Sequence, residues 1–235
     1  MTTCKRISLI ALLSIAVAGV ISPSAHAAAT RYITVSAQGT VKVVPDAVRI
    51  NATATSVAAT SKEALAATAK TATAVRAALK TAKIDTKDIA TQSVSVYPEY
   101  KYTNDGGSTL TGYRGSQSFT ITVRAADTAG SLVDALVLAG GDNLQINGAT
   151  PFVLDSTKSL EAARAAAVKS AKAKATSYAK LMGVKLGKVN YLVENSSPTK
   201  YTPVMAVAKA ESDATVIDLG QQDVSISVTV QWSLL

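Results

Sequence analysis

From Val224 to Trp232 every second residue is apolar (Val224, Ile226, Val228, Val230 and Trp232), and the residues between them are polar. A period of two puts one set on each face of a pleated strand, so the segment must lie in a sheet with one face against a core. Wound as a helix, the same residues would scatter their apolar side chains around the axis. The alternation recurs in Ile33, Val35 and Ala37, resumes in Val41 and Val43, and returns in Val48, Ile50, Ala52 and Ala54. Gly39 is expected to break or bulge the first of these strands. Pro45-Asp46 is expected to make the turn into the next, with Asp46 bonding its own backbone.

Between strands the apolar period lengthens to that of a helix. Thr60-Ser61-Lys62-Glu63 fits a capping box, in which a hydroxyl and a carboxylate satisfy orphan N–H groups reciprocally. The helix it opens carries Leu65, Ala72, Val75, Leu79 and Ala82 on one face. Val94 and Val96 begin a third strand that continues to Tyr102, and Asn104-Asp105-Gly106-Gly107 signals a hairpin turn into a strand through Tyr113, Phe119, Ile121 and Val123. A short helix over 128–139 is ended by Gly140-Gly141, and a strand follows over 144–154. The longest helix is predicted over 156–182, with Leu160, Ala163, Ala167, Ala171, Tyr178 and Met182 on one face and Gly183 as its cap. After a short strand over 189–193, residues 195–219 form a flexible loop rich in Ser, Pro, Thr and Ala. The order ββα-ββα-βα-ββ predicts an α+β fold with antiparallel or mixed sheets and two long amphipathic helices. So many helical core positions are alanine that helices and sheets have to approach closely.

The first residues stand apart. Lys5-Arg6 precedes an uncharged, mostly apolar run over 7–21, and Ala25-His26-Ala27 supplies the small-x-small pattern of a signal peptidase site. This predicts a secretory leader over 1–27 and one domain over 28–235. As a helix the apolar run reaches only about 22 Å, short of the ~30 Å of a hydrocarbon core. The single cysteine, Cys4, and the single histidine, His26, both lie in the leader. The processed chain then has neither, which excludes disulfides, Cys- or His-based nucleophilic catalysis, and zinc or haem held by thiolate or imidazole. Loss of Lys5 and Arg6 lowers the net charge from +8 to +6. The best later apolar run, 132–139, is short and carries Asp134, so no transmembrane helix is expected in the mature chain. A secreted or periplasmic location follows.

Motifs for catalysis are weak. Ser177-Tyr178-Ala179-Lys180 and Ser197-Pro198-Thr199-Lys200 have Ser-x-x-Lys spacing without the companion motifs of penicillin-binding enzymes. The Gly183 to Lys188 segment has three residues between its glycines, not the four of a phosphate loop, and lacks the final Ser/Thr. Asp85 and Asp88 read as caps of the 84–89 segment rather than as metal ligands. No catalytic residue, metal site or cofactor is assigned.

Two features point to contact rather than chemistry. Tyr97, Tyr100, Tyr102 and Tyr113, half of the 8 tyrosines, fall in one hairpin. They either hold it by cross-strand pairs, each contributing roughly 0.2–1 kcal/mol, or form a contact surface, since Tyr buries much area at low entropic cost. Lys158, Lys169, Lys172 and Lys180 line the longest helix opposite its apolar stripe, flanked by Arg164 and Lys174. Such a face is either simply solvated or drawn to an anionic envelope surface. Nucleic acid is not an expected partner of a secreted chain.

Several segments are distinctive together: Val35-Ser36-Ala37-Gln38-Gly39-Thr40-Val41 with Pro45-Asp46, Lys87-Asp88-Ile89-Ala90-Thr91, Tyr97-Pro98-Glu99-Tyr100 and Leu110-Thr111-Gly112-Tyr113-Arg114. Farther on come Glu161-Ala162-Ala163-Arg164, Gly183-Val184-Lys185-Leu186-Gly187-Lys188-Val189 and the closing strand. In this order and spacing they resemble the SIMPL-domain family of bacterial secreted and periplasmic proteins. Where the family usually has an acidic residue before the first glycine, this chain has Gln38. The resemblance implies an α+β envelope protein without catalytic residues, linked to envelope and oxidative stress tolerance and assembling in some members as ring- or channel-like homo-oligomers. With no cysteine or histidine after processing, any protection against oxidants is indirect. Two other readings are a small-molecule or cell-wall-polymer binding module using the tyrosine hairpin, and an envelope hydrolase with a carboxylate pair or a Ser–Lys pair in a pocket.

Overall fold

A computed structural model describes residues 31–102, 106–195 and 215–235; the leader and most of the expected 195–219 loop lie outside these. The elements are β1 (Tyr32–Val43), β2 (Ala47–Ala58), α1 (Ser61–Thr81), β3 (Ile89–Tyr102), β4 (Ser108–Val123), α2 (Ala129–Gly140), β5 (Leu144–Phe152), α3 (Thr157–Leu181), β6 (Leu186–Asn195) and β7 (Gln222–Leu234). Their order is the expected ββα-ββα-βα-ββ, and the fold is α+β.

The strands divide into two antiparallel sheets, β1-β7-β6 and β3-β4-β2-β5. The three-stranded sheet carries α3 on one face, over a core of Val35, Val224, Ile226, Val228, Val230 and Trp232. The four-stranded sheet carries α1 and α2 over a second core that includes Ile50, Val75, Leu79, Phe119, Ile121 and Leu136. Local bonds join the two halves: Gln222 Nε2 donates to Pro151 O at 2.7 Å, and Leu154 N donates to Asp46 Oδ1 at 2.8 Å. Asp46 thus ties the β1–β2 turn to the end of β5 instead of bonding its own backbone. Residues 215–219, at the end of the expected loop, are held against α2. There Thr215 Oγ1 donates to Asp134 Oδ1 at 2.5 Å, and Ile217 and Leu219 pack on the second core.

Close approach explains the places where the apolar faces differ from expectation. On α3 the buried row is Ala163, Ala167, Ala171, Ala175 and Ala179, an i, i+4 stripe. Tyr178 and Met182 are about half exposed; Tyr178 precedes Ala179 and is turned about 100° from it. On α1, Ala64 and Thr68 face the sheet and Leu65 is turned outward. Gly39 does not interrupt β1, which pairs with β7 without a shift from Tyr32 to Val43. Its role is space: a Cβ there would lie 2.2 Å from Ala163 O. Gly115 does the same under α1, where a Cβ would lie 2.7 Å from Ala64 O. The Thr60–Glu63 capping box forms as expected, with both bonds at 3.2 Å.

Candidate functional site

The β3–β4 hairpin outgrows the sheet that holds it. β2 pairs with β4 from Val48↔Val123 to Ala58↔Tyr113 and then ends. Beyond that point Ser108 to Gly112 pair with β3 alone, through Glu99↔Gly112, Tyr100↔Leu110 and Tyr102↔Ser108. The result is a two-stranded arm. Gly112 stands where the arm leaves the sheet, and a Cβ there would meet Ala58 O at 2.7 Å. One extra residue, Thr111, shifts the register, and its Oγ1 donates to Glu99 O at 2.8 Å. At the base, Arg114 Nη2 donates to Glu99 Oε1 at 2.6 Å, and this bond raises the guanidinium pKa above its ordinary value. The other oxygen, Glu99 Oε2, is shielded and accepts no hydrogen bond from the described residues.

The structure places all four tyrosines on this hairpin but not on one face. Tyr97 lies opposite Arg114, on the helix-free face with Glu99. Tyr113 lies opposite both Pro98 and Ala58, on the helix side, where it is partly buried. By the same alternation Tyr100 and Tyr102 point to the helix side, with Leu110 across from Tyr100. Tyr97, Tyr100 and Leu110 are each nearly half exposed, and Tyr102 is 78% exposed. A row of aromatic and apolar groups on an arm clear of the core is suited to contact, not to acid–base chemistry.

Lys158, Lys169, Lys172 and Lys180 are exposed along the outer side of α3. The flanking cations are engaged: Arg164 Nε donates to Glu194 Oε2 at 2.8 Å, and Lys174 Nζ to Ser36 O at 3.2 Å. They anchor α3 to β6 and β1 from its two sides, leaving the four lysines and the exposed Glu161 as the outward charges of the helix. Ser177 and Lys180 lie on the same exposed helix.

Asp85 and Asp88 do not cap the turn that holds them. Asp88 accepts a bidentate pair from Arg124, Nε to Oδ2 and Nη2 to Oδ1, both at 2.7 Å, and Asp85 pairs with Lys87 at 3.1 Å. The fork fastens the turn before β3 to the end of β4, beside a cavity of about 240 Å³. The Arg124 hydrogen bond holds the Asp88 carboxyl below its ordinary range, against the opposing effect of burial. A depressed folded-state pKa stabilises the protein above the unfolded value of about 3.9 and loses that effect as pH falls through the folded value. Urea midpoints should therefore show Asp88→Asn well below the parent at pH 7, with the gap narrowing progressively as pH falls below the unfolded value of about 3.9. A gap independent of pH would contradict this. Among the described residues no three His, Cys, Asp or Glu side chains cluster to hold a metal. An apolar groove of about 600 Å³ between α1 and α2 is walled by alanines and Leu138.

The chain is similar to known proteins along much of its length. It is 30% identical over 157 residues to the 26 kDa periplasmic immunogenic protein of Brucella melitensis, a stretch covering 61% of each chain. It is 31% identical over 131 residues to the uncharacterized protein YggE of Edwardsiella ictaluri, covering 53% of each. The chain thus spans less than two thirds of the length of these curated relatives. The model of the SIMPL family, described as a protein of unknown function (DUF541), matches residues 33–232, from the second residue of β1 to the buried tryptophan of β7. With both sheets and all three helices inside that match, the chain belongs to the SIMPL family.

Proposed function

We propose that this protein is a non-catalytic, self-associating component of the periplasm, with the β3–β4 arm as the contact between copies. The location is supported by the leader pattern over 1–27 and by the name of the Brucella relative. Among the described residues no helix is long and apolar enough to cross a membrane. The observation that carries the reading is the arm itself, which exposes Tyr100, Leu110 and Tyr102 beyond the last residue of β2. A tyrosine can bury on the order of 150–250 Å², so Tyr100 and Tyr102, at about half and three-quarters exposure, supply roughly a third of the ~800 Å² per partner of a stable interface, and Leu110 adds to it. The rest is available along β3, whose outer edge has no neighbouring strand among the described residues. In this reading the lysines of α3 face the anionic envelope, and the part played in envelope or oxidative stress tolerance is one of assembly.

The double substitution Tyr100→Ser/Tyr102→Ser tests the arm. Its residues touch neither core, so the melting temperature should stay within roughly 2 °C of the parent. Light scattering after size exclusion should give a smaller particle. An unchanged particle mass would reduce the hairpin to a structural role.

A further inference from the structure

Two hollows of opposite character adjoin at the C-terminal end of α1. The groove between α1 and α2, about 600 Å³, is walled by Ala74, Ala77, Ala78, Ala82, Ala135 and Leu138, and Thr81 is the one polar side chain in its lining. Leu138 is 87% exposed, so nothing among the described residues covers that wall. The cavity of about 240 Å³ beside the Asp88–Arg124 fork is polar instead, lined by Lys83, Asp85, Asp88, Thr122, Arg124 and Thr128. Ala82 belongs to both linings.

The charges of the cavity do not cancel. Asp88 is matched by Arg124 and Asp85 by Lys87, which leaves Lys83, with no ion pair among the described residues, as the surplus cation. Arg124 uses two of its five N–H groups on Asp88 and keeps three. Lys83 also holds an unusual backbone: among the described residues it is the one non-glycine with positive φ, at 59°. The helices α1 and α3 end alike, Ile84 N donating to Leu79 O and Val184 N to Ala179 O, both at 3.0 Å. In the left-handed position of that motif α3 has Gly183, at φ 68°, where α1 has the lysine. Strain kept where glycine would relieve it points to a use for the side chain.

We infer that the two hollows together bind a fatty acid, its alkyl chain along the α1–α2 groove and its carboxylate in the cavity against Lys83 and Arg124. From Ala74 to Ala82 the helix rises about 12 Å, the length of an extended chain of roughly ten carbons. Burial of those methylenes supplies the affinity, and the surplus cation sets the polarity of the head. Other occupants meet only part of the site. An extended peptide would bury N–H and C=O groups against alanine methyls, with Thr81 alone to bond them. A helix of a second copy would cover the groove and leave the charge of Lys83 unmet. A doubly charged phosphate head would be pressed against Asp85 and Asp88, whereas one carboxylate matches one surplus cation. The site uses no residue of the tyrosine arm and stands independently of self-association.

Calorimetric titration of the processed chain with dodecanoate, kept below its micelle-forming concentration, tests the inference. One molecule per chain should bind, with a Kd on the order of 10–100 μM. Dodecyltrimethylammonium, the same chain with a cationic head, should bind roughly tenfold more weakly or not at all. Ala77→Phe fills the groove from an exposed position and should abolish binding with circular dichroism unchanged. Lys83→Gly should weaken dodecanoate roughly fivefold or more. Its melting temperature should stay within about 2 °C of the parent or rise, because glycine fits the left-handed turn. The loss of affinity is then not a loss of fold. No heat with dodecanoate, equal affinity for the cationic chain, or a Lys83→Gly variant that binds like the parent would overturn the site. Uptake of many chains per molecule, unaffected by Ala77→Phe, would mark unspecific surfactant binding and overturn it as well. A particle mass lowered by Ala77→Phe, with no dodecanoate bound by the parent, would give the groove to a second copy instead.

Discussion

Gly39→Val should lower the melting temperature by roughly 10 °C or abolish folding of the three-stranded half, since 1 kcal/mol shifts a domain of this size by about 2–4 °C. A Cβ at position 39 would lie 2.2 Å from Ala163 O, 2.2 Å from Ala167 N and 2.8 Å from Ala166 C. All three atoms belong to the backbone of α3, so no flexible side chain can yield and the helix must lift as a unit. Lifting it opens the contacts of Ala163, Ala167 and Ala171 with Val35, Ala37, Val228 and Val230. Overpacking costs about 1–3 kcal/mol where neighbours can adjust and more where they cannot. We expect about 3 kcal/mol or more here, a large part of the roughly 5–15 kcal/mol that holds a domain together. Thermal melts followed by circular dichroism measure it. A loss under about 2 °C would mean that α3 is not seated on β1 at this glycine.

Phe119→Ala should cost about 3–5 kcal/mol. Phe119 is 1% exposed and is the largest fully buried side chain of the protein's described residues, packed in the core with Ile50, Val75, Leu79 and Ile121. The guanidinium of Arg76 also sits 5.1 Å from its ring centre, so truncation loses a cation–π contact as well as leaving a cavity. Most of the surrounding alanines are too small to close such a cavity without moving α1. The urea midpoint by far-ultraviolet circular dichroism should fall steeply. Trp232, the single tryptophan, lies in the other core and would report on that half instead. A midpoint shift equivalent to less than about 1 kcal/mol would contradict the assignment of Phe119 to a packed core.

What could be read from the residues was what depends on near neighbours. The period-two runs located the strands, and the Thr60–Glu63 box located the start of α1, because both patterns are satisfied within a few residues. Contacts between distant segments were not legible. Gly39 reads as a break when only β1 is considered; its purpose is set by Ala163 and Ala167, far along the chain. Asp88 reads as a cap until β4 delivers Arg124. Leu65, Tyr178 and Met182 look like core residues by size, but a sheet approached through glycine accepts alanine or threonine and turns larger side chains out.

The candidate site was legible in position and not in geometry. The clustering of tyrosines about Asn104-Asp105-Gly106-Gly107 marked the hairpin. Its division between two faces follows from the pleat and from the shift at Thr111, and its projection follows from the early end of β2.

The central claim is that copies of this protein associate, and the mass of the processed wild-type chain in solution tests it most directly. Light scattering at high micromolar concentration should give a particle several times the mass of one chain. A mass equal to one chain at every concentration would contradict the account.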